Sequence, residues 1–416
     1  MALIVKKFGG SSVATPDKMR AIVQRVLKGK KPEDKIVIVV SAMGDTTDDL
    51  VALAKQITSK AYGREMDMLL TTGEQVSIAL MAMAFQEAGQ KAVSFTGAQA
   101  GIKTSDAFNK GRILALKPAR IMKALEQDNI VVVAGFQGIT GHGDITTLGR
   151  GGSDTTAVAI AGAIHADVCE IYTDVDGVYT SDPRVVPNAR KIDQITYGEM
   201  LEMAKLGAGV MQPRAVEMGS RFGVPIYVRS TFSEDEGTMI QEDCSMEVKQ
   251  YLIRGVASDK NVAKITVLGI PNKPGFAYRV FSELAEKNVD VDMIVQSVRY
   301  ANEGVTDITF TIARTDLEEA ESVFESLRSE MPVEDIIIDD KMAKVSVVGA
   351  GMAGHPGIAA GMFGVLSDND INIEIILRRK SVLPASLRKK LSIRPSKPFI
   401  STSSTKKTRG IHVCIG

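Results

Sequence analysis

The stretch Thr147-Leu-Gly-Arg-Gly-Gly-Ser-Asp154 does most to decide the fold. It follows the apolar run 130–134 and precedes a segment with helical character. A second string of this kind, Lys7-Phe-Gly-Gly-Ser-Ser12, follows the apolar run 2–5. Each string predicts a strand that ends at paired glycines before a helix, and such junctions bind ligands at the edge of a parallel α/β sheet.

Both strings are suited to anions. Exposed backbone N–H groups and the field of a helix start favour negative charge, and each string also carries a cation, Lys7 or Arg150. A lone Gly-Gly turn is more often only a tight turn. Here two such turns each carry a cation, and the second string ends with Asp154. Together they indicate a phosphate donor that faces a second anionic substrate. The pattern points to phosphoryl transfer, and the absence of GxxxxGKS/T excludes a P-loop NTPase.

Length and composition narrow the class of protein. A chain of 416 residues predicts two or three domains. Its three cysteines and four histidines are scattered, so we expect a reducing, cytoplasmic location and no metal held by cysteine or histidine. We also expect no signal peptide and no membrane partner, because no uncharged apolar run reaches the roughly 18 residues of a membrane span.

The net charge of zero hides an uneven distribution. Residues 377–416 contain eleven basic residues and no acidic one, so the preceding residues are acidic as a whole. The basic tail has a single aromatic residue, Phe399, and we therefore expect no nucleic-acid partner.

Residues 1–240 predict an α/β fold, a mostly parallel αβα sandwich. Helix-like stretches, among them 16–27 and 71–88, separate β-branched runs that read as buried strands. The polar segment 233–249 is predicted to be a linker. The apolar runs are 2–5, 36–40, 91–95, 130–134, 168–172 and 224–228.

The rest of the chain repeats itself with a period of about 80 residues. Lys264-Ile-Thr-Val-Leu-Gly matches Lys344-Val-Ser-Val-Val-Gly, and each copy continues with Pro-Gly, a helix and a strand. Two small α/β modules are predicted, the first over 250–335 and the start of the second over 340–376. The GxGxxG string at 349–354 is absent from the other copy, so it does not indicate a dinucleotide site.

Three further clusters carry polar chemistry. Residues 41–47 follow an apolar run with hydroxyls and amides. Glu74 is either an ordinary carboxylate of a helix first turn or a ligand for a substrate ammonium, and composition alone does not separate these readings. The loop 172–184 contains acidic residues, tyrosines and Arg184. This composition favours contacts with a nucleoside and a metal over a loop whose polar residues only face solvent.

Taken together, the chain resembles the aspartate kinases (aspartokinases) of the amino-acid-kinase family, with a tandem ACT regulatory region. The motifs that carry the resemblance are KKFGGSSV, TTGE, GFQG, TTLGRGGSDTTA, YTDVDGVYTSDPR and the repeated KPG and HPG, which span residues 3 to about 376. The resemblance implies an amino-acid-kinase-like sandwich followed by two ferredoxin-like α+β ACT modules. It also implies the reaction of ATP and L-aspartate to 4-phospho-L-aspartate, with Mg²⁺ as cofactor and feedback inhibition by lysine, threonine or both.

The resemblance also assigns site residues. Lys7 and Asp154 would be catalytic. The ATP side would comprise Lys7, Phe8, Gly9, Gly10, Ser41, Thr173, Asp174, Tyr179, Asp182, Arg184, Gly209 and Val210. The aspartate side would comprise Thr47, Glu74, Arg150, Gly151, Gly152, Ser153 and Asp154. The effector would contact Asn272, Pro274, Gly275, Asp292, Gln296, His355 and Pro356, and a homo-oligomer or α₂β₂ assembly would form through the ACT modules.

Two other functions stay open at this point. Related kinases of glutamate or N-acetylglutamate are disfavoured by the TTGE string and the tandem ACT region. A non-catalytic amino-acid sensor would need broken phosphate-binding loops, and both loops are intact.

The expected chemistry needs no general base. A β-carboxylate has a pKa near ~4 and is already ionised at neutral pH. It needs alignment with the γ-phosphate and neutralisation of two anions that repel each other. We therefore expect Asp154 to orient Lys7 or the reacting groups rather than to accept a proton.

The chain departs from the family pattern in two places. Residues 206–213 contain glycine and glutamine where many relatives have a lysine. After residue 376 the basic tail 377–416 replaces the expected serine- and threonine-rich string. We predict that the tail is out of register with the family and largely disordered, which would expose the edge of the strand at 371–376.

Overall fold

A computed structural model describes residues 1–59, 61–242, 253–287, 289–298, 304–330, 332–349, 352, 357–376 and 382–388. Within these residues the chain forms two compact units. The first unit takes Met1–Thr180, Arg190–Lys205 and Gly209–Gln250, and the second takes Ser181–Ala189, Leu206–Ala208 and Tyr251–Gly416. Two short segments of the predicted 1–240 domain therefore belong to the second unit.

The helices of the first unit are α1 (Pro16–Gly29), α2 (Thr46–Ile57), α3 (Arg64–Glu87), α4 (Ala119–Glu126), α5 (Gly152–Ala163), α6 (Tyr197–Lys205) and α7 (Pro213–Phe222). Its strands are β1 (Leu3–Phe8), β2 (Lys35–Val40), β3 (Ala92–Phe95), β4 (Ile102–Thr104), β5 (Ile113–Leu116), β6 (Ile130–Ala134), β7 (Gln137–Ile139), β8 (Ile145–Thr147), β9 (Val168–Thr173), β10 (Val178–Tyr179), β11 (Lys191–Ile192), β12 (Gln194–Ile195), β13 (Ile226–Ser230) and β14 (Thr238–Ile240).

An eight-stranded sheet with the order β12-β14-β13-β9-β1-β2-β6-β3 forms the core of the first unit. All its described pairings are parallel except β13 with β14. The six apolar runs of the sequence lie on β1, β2, β3, β6, β9 and β13, so the mostly parallel fold is confirmed. Strand β14 lies inside the predicted linker 233–249, and this part of the linker prediction is wrong because Thr238 is buried and paired with β13.

Helices cover both faces of this sheet. On β2, Ile36, Ile38 and Val40 pack with residues of α1 and α3. The alternate residues Val37 and Val39 are also fully buried, on the face that α5 contacts. Burial on both faces explains why the strand KIVIVV shows no polar alternation.

A second, four-stranded sheet of the first unit has the order β5-β4-β7-β8. Its hairpin of β7 and β8 lies between β6 and the string 147–154. We expected that string to follow the strand at 130–134 directly, so this expectation is corrected. Three-residue strands give too short an apolar pattern to be recognised in a sequence.

The elements of the second unit are β15 (Gly255–Pro271), α8 (Phe276–Glu286), β16 (Val291–Val298), β17 (Val305–Ala313), a 3₁₀ helix (Arg314–Asp316), α9 (Leu317–Glu330), β18 (Asp335–Val348), α10 (Ile358–Asp368), β19 (Ile373–Ile376) and β20 (Val382–Arg388). They form an antiparallel sheet with the order β16-β17-β15-β18-β20-β19. The repeat is visible in the helix starts, because Gly275 and Gly357 both have φ of +101° and directly precede α8 and α10.

The tail prediction is wrong for residues 382–388. They form β20, which pairs with β18 on one side and β19 on the other, so the edge of β19 that faces β20 is covered. Val382, Ala385 and Leu387 are buried in it. Among the described residues the pairing with β19 ends at Ala385, so Pro384, which has no N–H, pairs with β18 alone in that part of the chain. Residues 377–381 and 389–416 of the predicted tail lie outside the described residues.

Candidate active site

The first glycine string forms a tight turn after β1. Gly9 O accepts hydrogen bonds from Ser12 N (3.0 Å) and Val13 N (3.2 Å). A Cβ on Gly10 would lie 3.0 Å from two backbone oxygens of the segment 41–44, so only glycine allows this close approach. Helix α1 begins at Pro16, as the sequence predicts, and Thr15 caps it.

The second glycine string uses left-handed backbone at Gly149 and Gly151, with φ of +75° and +70°. Gly151 is the N-cap residue of α5, and the helix runs from Gly152. A Cβ on Gly135, just after β6, would collide with Ser153. The end of a central strand is thus packed directly against the first turn of α5.

An ion pair joins the two strings. Lys7 Nζ lies 2.6 Å from Asp154 Oδ1, and both side chains are 11% exposed. Within the described part of the chain this oxygen makes no aligned hydrogen bond, so its contact with Lys7 is described as an ion pair. Ser41, after β2, donates a hydrogen bond to Ser153 Oγ at 3.0 Å. The structure therefore brings together Lys7, Ser41, Ser153 and Asp154 at the carboxyl ends of neighbouring strands.

Glu74 lies beside this cluster. The TTGE string is inside α3, eleven residues into the helix, so the interpretation of Glu74 as a first-turn carboxylate is wrong. A Cβ on Gly73 would lie 2.8 Å from Ala42 Cβ, so glycine lets α3 approach the segment after β2. Ala42 N donates to Glu74 Oε1 at 3.1 Å.

The other carboxylate oxygen of Glu74 has no partner among the described residues. Glu74 is 2% exposed, and its Oε2 makes no hydrogen bond within the described part of the chain. Burial raises the pKa of Glu74 to about 7, against the opposing effect of the Ala42 N–H. A buried carboxylate with a free oxygen is well suited to a ligand cation.

The loop after β9 is held by local contacts. Tyr179 OH donates to Asp176, and burial together with this contact raises the pKa of Tyr179. Thr173 donates to Asp174 at 3.0 Å. Tyr172 stacks on Phe8 with ring centroids 4.6 Å apart, so the Phe8 side chain belongs to the core.

Asp182 and Arg184 form a two-pronged pair of their own. Arg184 Nε and Nη2 donate to the two oxygens of Asp182 at 3.0 and 2.9 Å. These hydrogen bonds hold the pKa of Asp182 below its usual range. Both residues belong to the second compact unit.

The remaining predicted residues carry less structural information. Thr47 is half-buried in the first turn of α2, Gly209 is exposed and Val210 is half-buried before α7, and Arg150 is exposed.

Sequence reasoning missed Thr231. Its Oγ1 lies 2.6 Å from Ser12 Oγ, and its N–H donates to Thr173 O at 2.8 Å. Thr231 thus connects the first glycine turn with the end of β9. The available signal was the hydroxyl pair Ser230-Thr231, which follows the last apolar run after Arg229, at the carboxyl end of a parallel strand.

The predicted effector residues are distributed over the second unit. Asn272 N donates to Gly304 O, Pro274 and Gly275 precede α8, and Gln296 is exposed on β16. Asp292 pairs with Lys344 at 2.6 Å. His355 and Pro356 lie outside the described residues.

Helix α3 is the described helix that is long and apolar enough to cross a membrane by length and composition. Half of its apolar window is buried inside the protein. It packs against β3 and β6, as the core helix of a folded domain does.

Known proteins resemble this chain along most of its length. The amino acid kinase family model matches residues 2–230, and an ACT domain model matches 265–326 and 345–382. The aspartokinase of Mycolicibacterium smegmatis is 49% identical over 380 residues, 90% of each chain. The aspartokinase of Bacillus sp. strain MGA3 is 50% identical over 376 residues, 90% of this chain and 91% of that protein.

A solved structure agrees with these relatives. Aspartokinase III of E. coli, in complex with aspartate and ADP, has a TM-score of 0.78 at 27% identity, covering 93% of this chain and 96% of that one. The same enzyme has also been solved with lysine and aspartate, at a TM-score of 0.70. A mostly parallel sheet with a glycine-rich turn after β1 and another before α5, followed by an antiparallel ACT repeat, is the architecture of a regulated small-molecule kinase. The chain belongs to the amino acid kinase family and, within it, to the aspartokinases that carry ACT domains.

Proposed function

We propose that this aspartokinase transfers the γ-phosphoryl group of ATP to the β-carboxylate of L-aspartate at the junction of the two glycine strings. The observation that carries the proposal is the contact between Lys7 and Asp154. It joins the first string to the second within 2.6 Å. A donor phosphate on one turn and an acceptor carboxylate on the other would therefore meet at a single buried cation.

Lys7 supplies the charge that the reaction needs. Two anions approach each other when a carboxylate attacks a phosphoryl group, and a buried ammonium stabilises the charge that develops on the transferring oxygens. Asp154 balances the charge of Lys7, and the two side chains are held at the ends of regular elements, β1 and α5. Asp154 thereby keeps the ammonium in position without taking part in proton transfer.

The aspartate side rests on Glu74 and Arg150. The unpartnered Glu74 Oε2 is suited to the substrate ammonium, which would satisfy the buried oxygen. Arg150 is exposed at the start of the second string and would take the α-carboxylate with two parallel N–H bonds. Thr47 and the backbone of 151–154 complete this side in our proposal.

The ATP side rests on Lys7 and the turn at Gly9 and Gly10, with Ser41 and the loop from Thr173 to Tyr179. Asp182, Arg184, Gly209 and Val210 stay proposed contacts. ATP-bound Mg²⁺ usually takes one or two carboxylates and the phosphates rather than a protein cage. When bound, the ion would neutralise phosphate charge.

Feedback regulation is the proposed role of the second unit. The ACT repeat supports binding of an amino acid, lysine or threonine, near Asn272, Gly275 and Asp292. We further propose that oligomers form through the ACT modules and that the enzyme acts in the cytoplasm.

A coupled assay of ADP release tests the reaction. Aspartate, glutamate and N-acetylglutamate are offered in turn, each with and without lysine and threonine. We expect turnover with aspartate only, inhibited by at least one of the two effectors. Turnover with glutamate or N-acetylglutamate in place of aspartate would overturn the assignment of the acceptor.

A further inference from the structure

Asp67 is a fully buried carboxylate in the first turn of α3, with 0% exposure. Its two oxygens accept four hydrogen bonds. Oδ1 accepts from Asn109 Nδ2 at 2.5 Å and from Thr147 Oγ1 at 2.6 Å. Oδ2 accepts from the backbone N–H groups of Asn109 and Thr147, each at 2.9 Å. One carboxylate therefore ties together three segments that are far apart in the sequence.

Two of these segments flank the second glycine string. Thr147 is the last residue of β8, and Arg150 follows three residues later. Asn109 is in the left-handed region with φ of +63°, and a Cβ on Gly149 would lie 3.1 Å from its carbonyl oxygen. Gly111 N donates to Thr147 O at 2.8 Å. The Asp67 carboxylate thus fixes both the strand that leads into Gly149 and the loop that lies against it.

The same helix carries Glu74, seven residues after Asp67. Seven residues are close to two turns, so both carboxylates lie on one face of α3, roughly 10 Å apart along its axis. At the Glu74 end the helix meets Ala42, and at the Asp67 end it holds Thr147. Helix α3 acts as a spacer between the residue proposed to bind the substrate ammonium and the loop that carries Arg150.

We propose that Asp67 is a positioning residue for the acceptor amino acid, which sets the separation between Glu74 and Arg150. This inference rests on the proposed function of those two residues. Asp67 touches neither substrate in the proposal and acts through Thr147 and Asn109. A carboxylate is required there because it accepts all four hydrogen bonds, whereas an amide at this position would point two N–H donors at donors.

Asp67→Asn keeps the size of the side chain but replaces one acceptor oxygen with an NH₂ group, so the side chain can no longer accept all four hydrogen bonds. We expect KM for aspartate to rise at least tenfold, while KM for ATP stays within about twofold of wild type. Asp34→Asn is the matched control, because Asp34 is 9% exposed and accepts backbone hydrogen bonds from Ala2 and Lys31 away from both glycine strings. The control is expected to leave both KM values unchanged.

Thr147 provides a second route if Asp67→Asn does not fold. Thr147→Val removes only the hydroxyl donor at nearly constant shape, and KM for aspartate is expected to rise about threefold. Thr147→Ser keeps both donors and should restore wild-type KM. Equal rises in the two KM values of a folded variant, or an equal effect of Asp34→Asn, would overturn the positioning role.

Turnover by the wild-type protein distinguishes a failure of the proposed function from a failure of the positioning role of Asp67. The proposed function fails if the wild-type protein does not phosphorylate aspartate, whatever the variants do. The positioning role fails if the wild type does so and Asp67→Asn, or Thr147→Val in its place, leaves KM for aspartate unchanged.

Discussion

Buried charge is arranged differently in the two compact units. In the first unit Glu74 is almost fully buried, and one of its oxygens lacks a partner in the part of the chain that the structure describes. In the second unit the repeat-related lysines are paired across the repeat. Lys264 of the first copy meets Glu374 of the second at 2.8 Å, and Lys344 of the second meets Asp292 of the first at 2.6 Å.

The difference separates two uses of an ionised side chain. A buried carboxylate oxygen without a hydrogen-bond partner destabilises the free protein. A ligand that donates to this oxygen removes the cost. In the second unit each of the two ion pairs joins a lysine of one repeat copy to a carboxylate of the other. These charges are balanced without a ligand, and the ion pairs link the two copies to each other. The following predictions test this difference between the two units.

The largest effect is expected for Lys7→Ala. Removing this cation should lower kcat about a hundredfold or more, since its charge matters most as charge develops in the transition state. Lys6→Ala is the matched control: Lys6 is the neighbouring residue on the opposite face of β1, where it pairs with Glu170. Steady-state assays should show kcat for this control within a few-fold of wild type, and a Lys7→Ala variant of near wild-type kcat would remove the assigned role.

Glu74 should make the stability of the ligand-free protein depend on pH. Burial raises the pKa of Glu74 to about 7 from the 4.5 of a free glutamate, so the folded protein binds more protons than the unfolded chain between these values. This contribution to stability is complete below the unfolded pKa and is lost as pH rises through the folded pKa, by about 2 kcal/mol between pH 5.5 and pH 8.

Urea unfolding of Glu74→Gln checks that dependence. The glutamine cannot ionise, so the loss between the two pH values should shrink by this amount relative to wild type. Glu65→Gln, exposed on the same helix, should behave as wild type. Saturating aspartate should remove most of the pH effect from wild type, and an unchanged pH profile in Glu74→Gln would refute the buried, incomplete carboxylate.

Arg150→Lys should raise KM for aspartate about tenfold, because lysine cannot form two parallel bonds to a carboxylate. KM for ATP should stay unchanged. Arg120→Lys, on α4 above the Phe95 ring, serves as the control and should alter neither value. A rise in KM for ATP instead would mean that the two glycine strings were assigned to the wrong substrates.

The smallest effect concerns the two ion pairs between the repeat copies of the second unit. A double-mutant cycle of Lys264→Met and Glu374→Gln should give a coupling of about 1 kcal/mol, since both groups are mostly but not fully shielded from water. Hydrogen exchange of the amides of β19 measures it, as roughly fivefold faster exchange. Basal kcat should not change, and a coupling near zero would show that the pairs do not link the repeat copies.

The sequence predicts the features that depend on local patterns. The six central strands of the first unit are continuous apolar runs, and the glycine strings mark turns that any sheet of this kind would need. The short strands β7, β8 and β14 could not be predicted, because three residues carry no periodicity and their pairing partners are distant in the chain. Asp67 and Thr231 were missed for a related reason: only the folded chain brings their partners within reach.

Strand β20 could not be predicted from the sequence either, because a strongly basic stretch with a proline has the composition of a disordered tail. Only its pairing identifies it, with buried Val382, Ala385 and Leu387 between two strands that come earlier in the chain.

That insertion has a consequence for how the protein is made. Strand β19 leaves the ribosome before β20, yet among the described strands β20 is its neighbour in the sheet. Strand β20 pairs with both β18 and β19, so these two earlier strands obtain their shared neighbour only once residues 382–388 have been translated. A nascent chain that stalls or is cleaved in this interval exposes two unpaired strand edges to the cell. The last described strand of the second unit is thus an interior strand of its sheet, and translation of residues 382–388 is the step that joins β18 to β19.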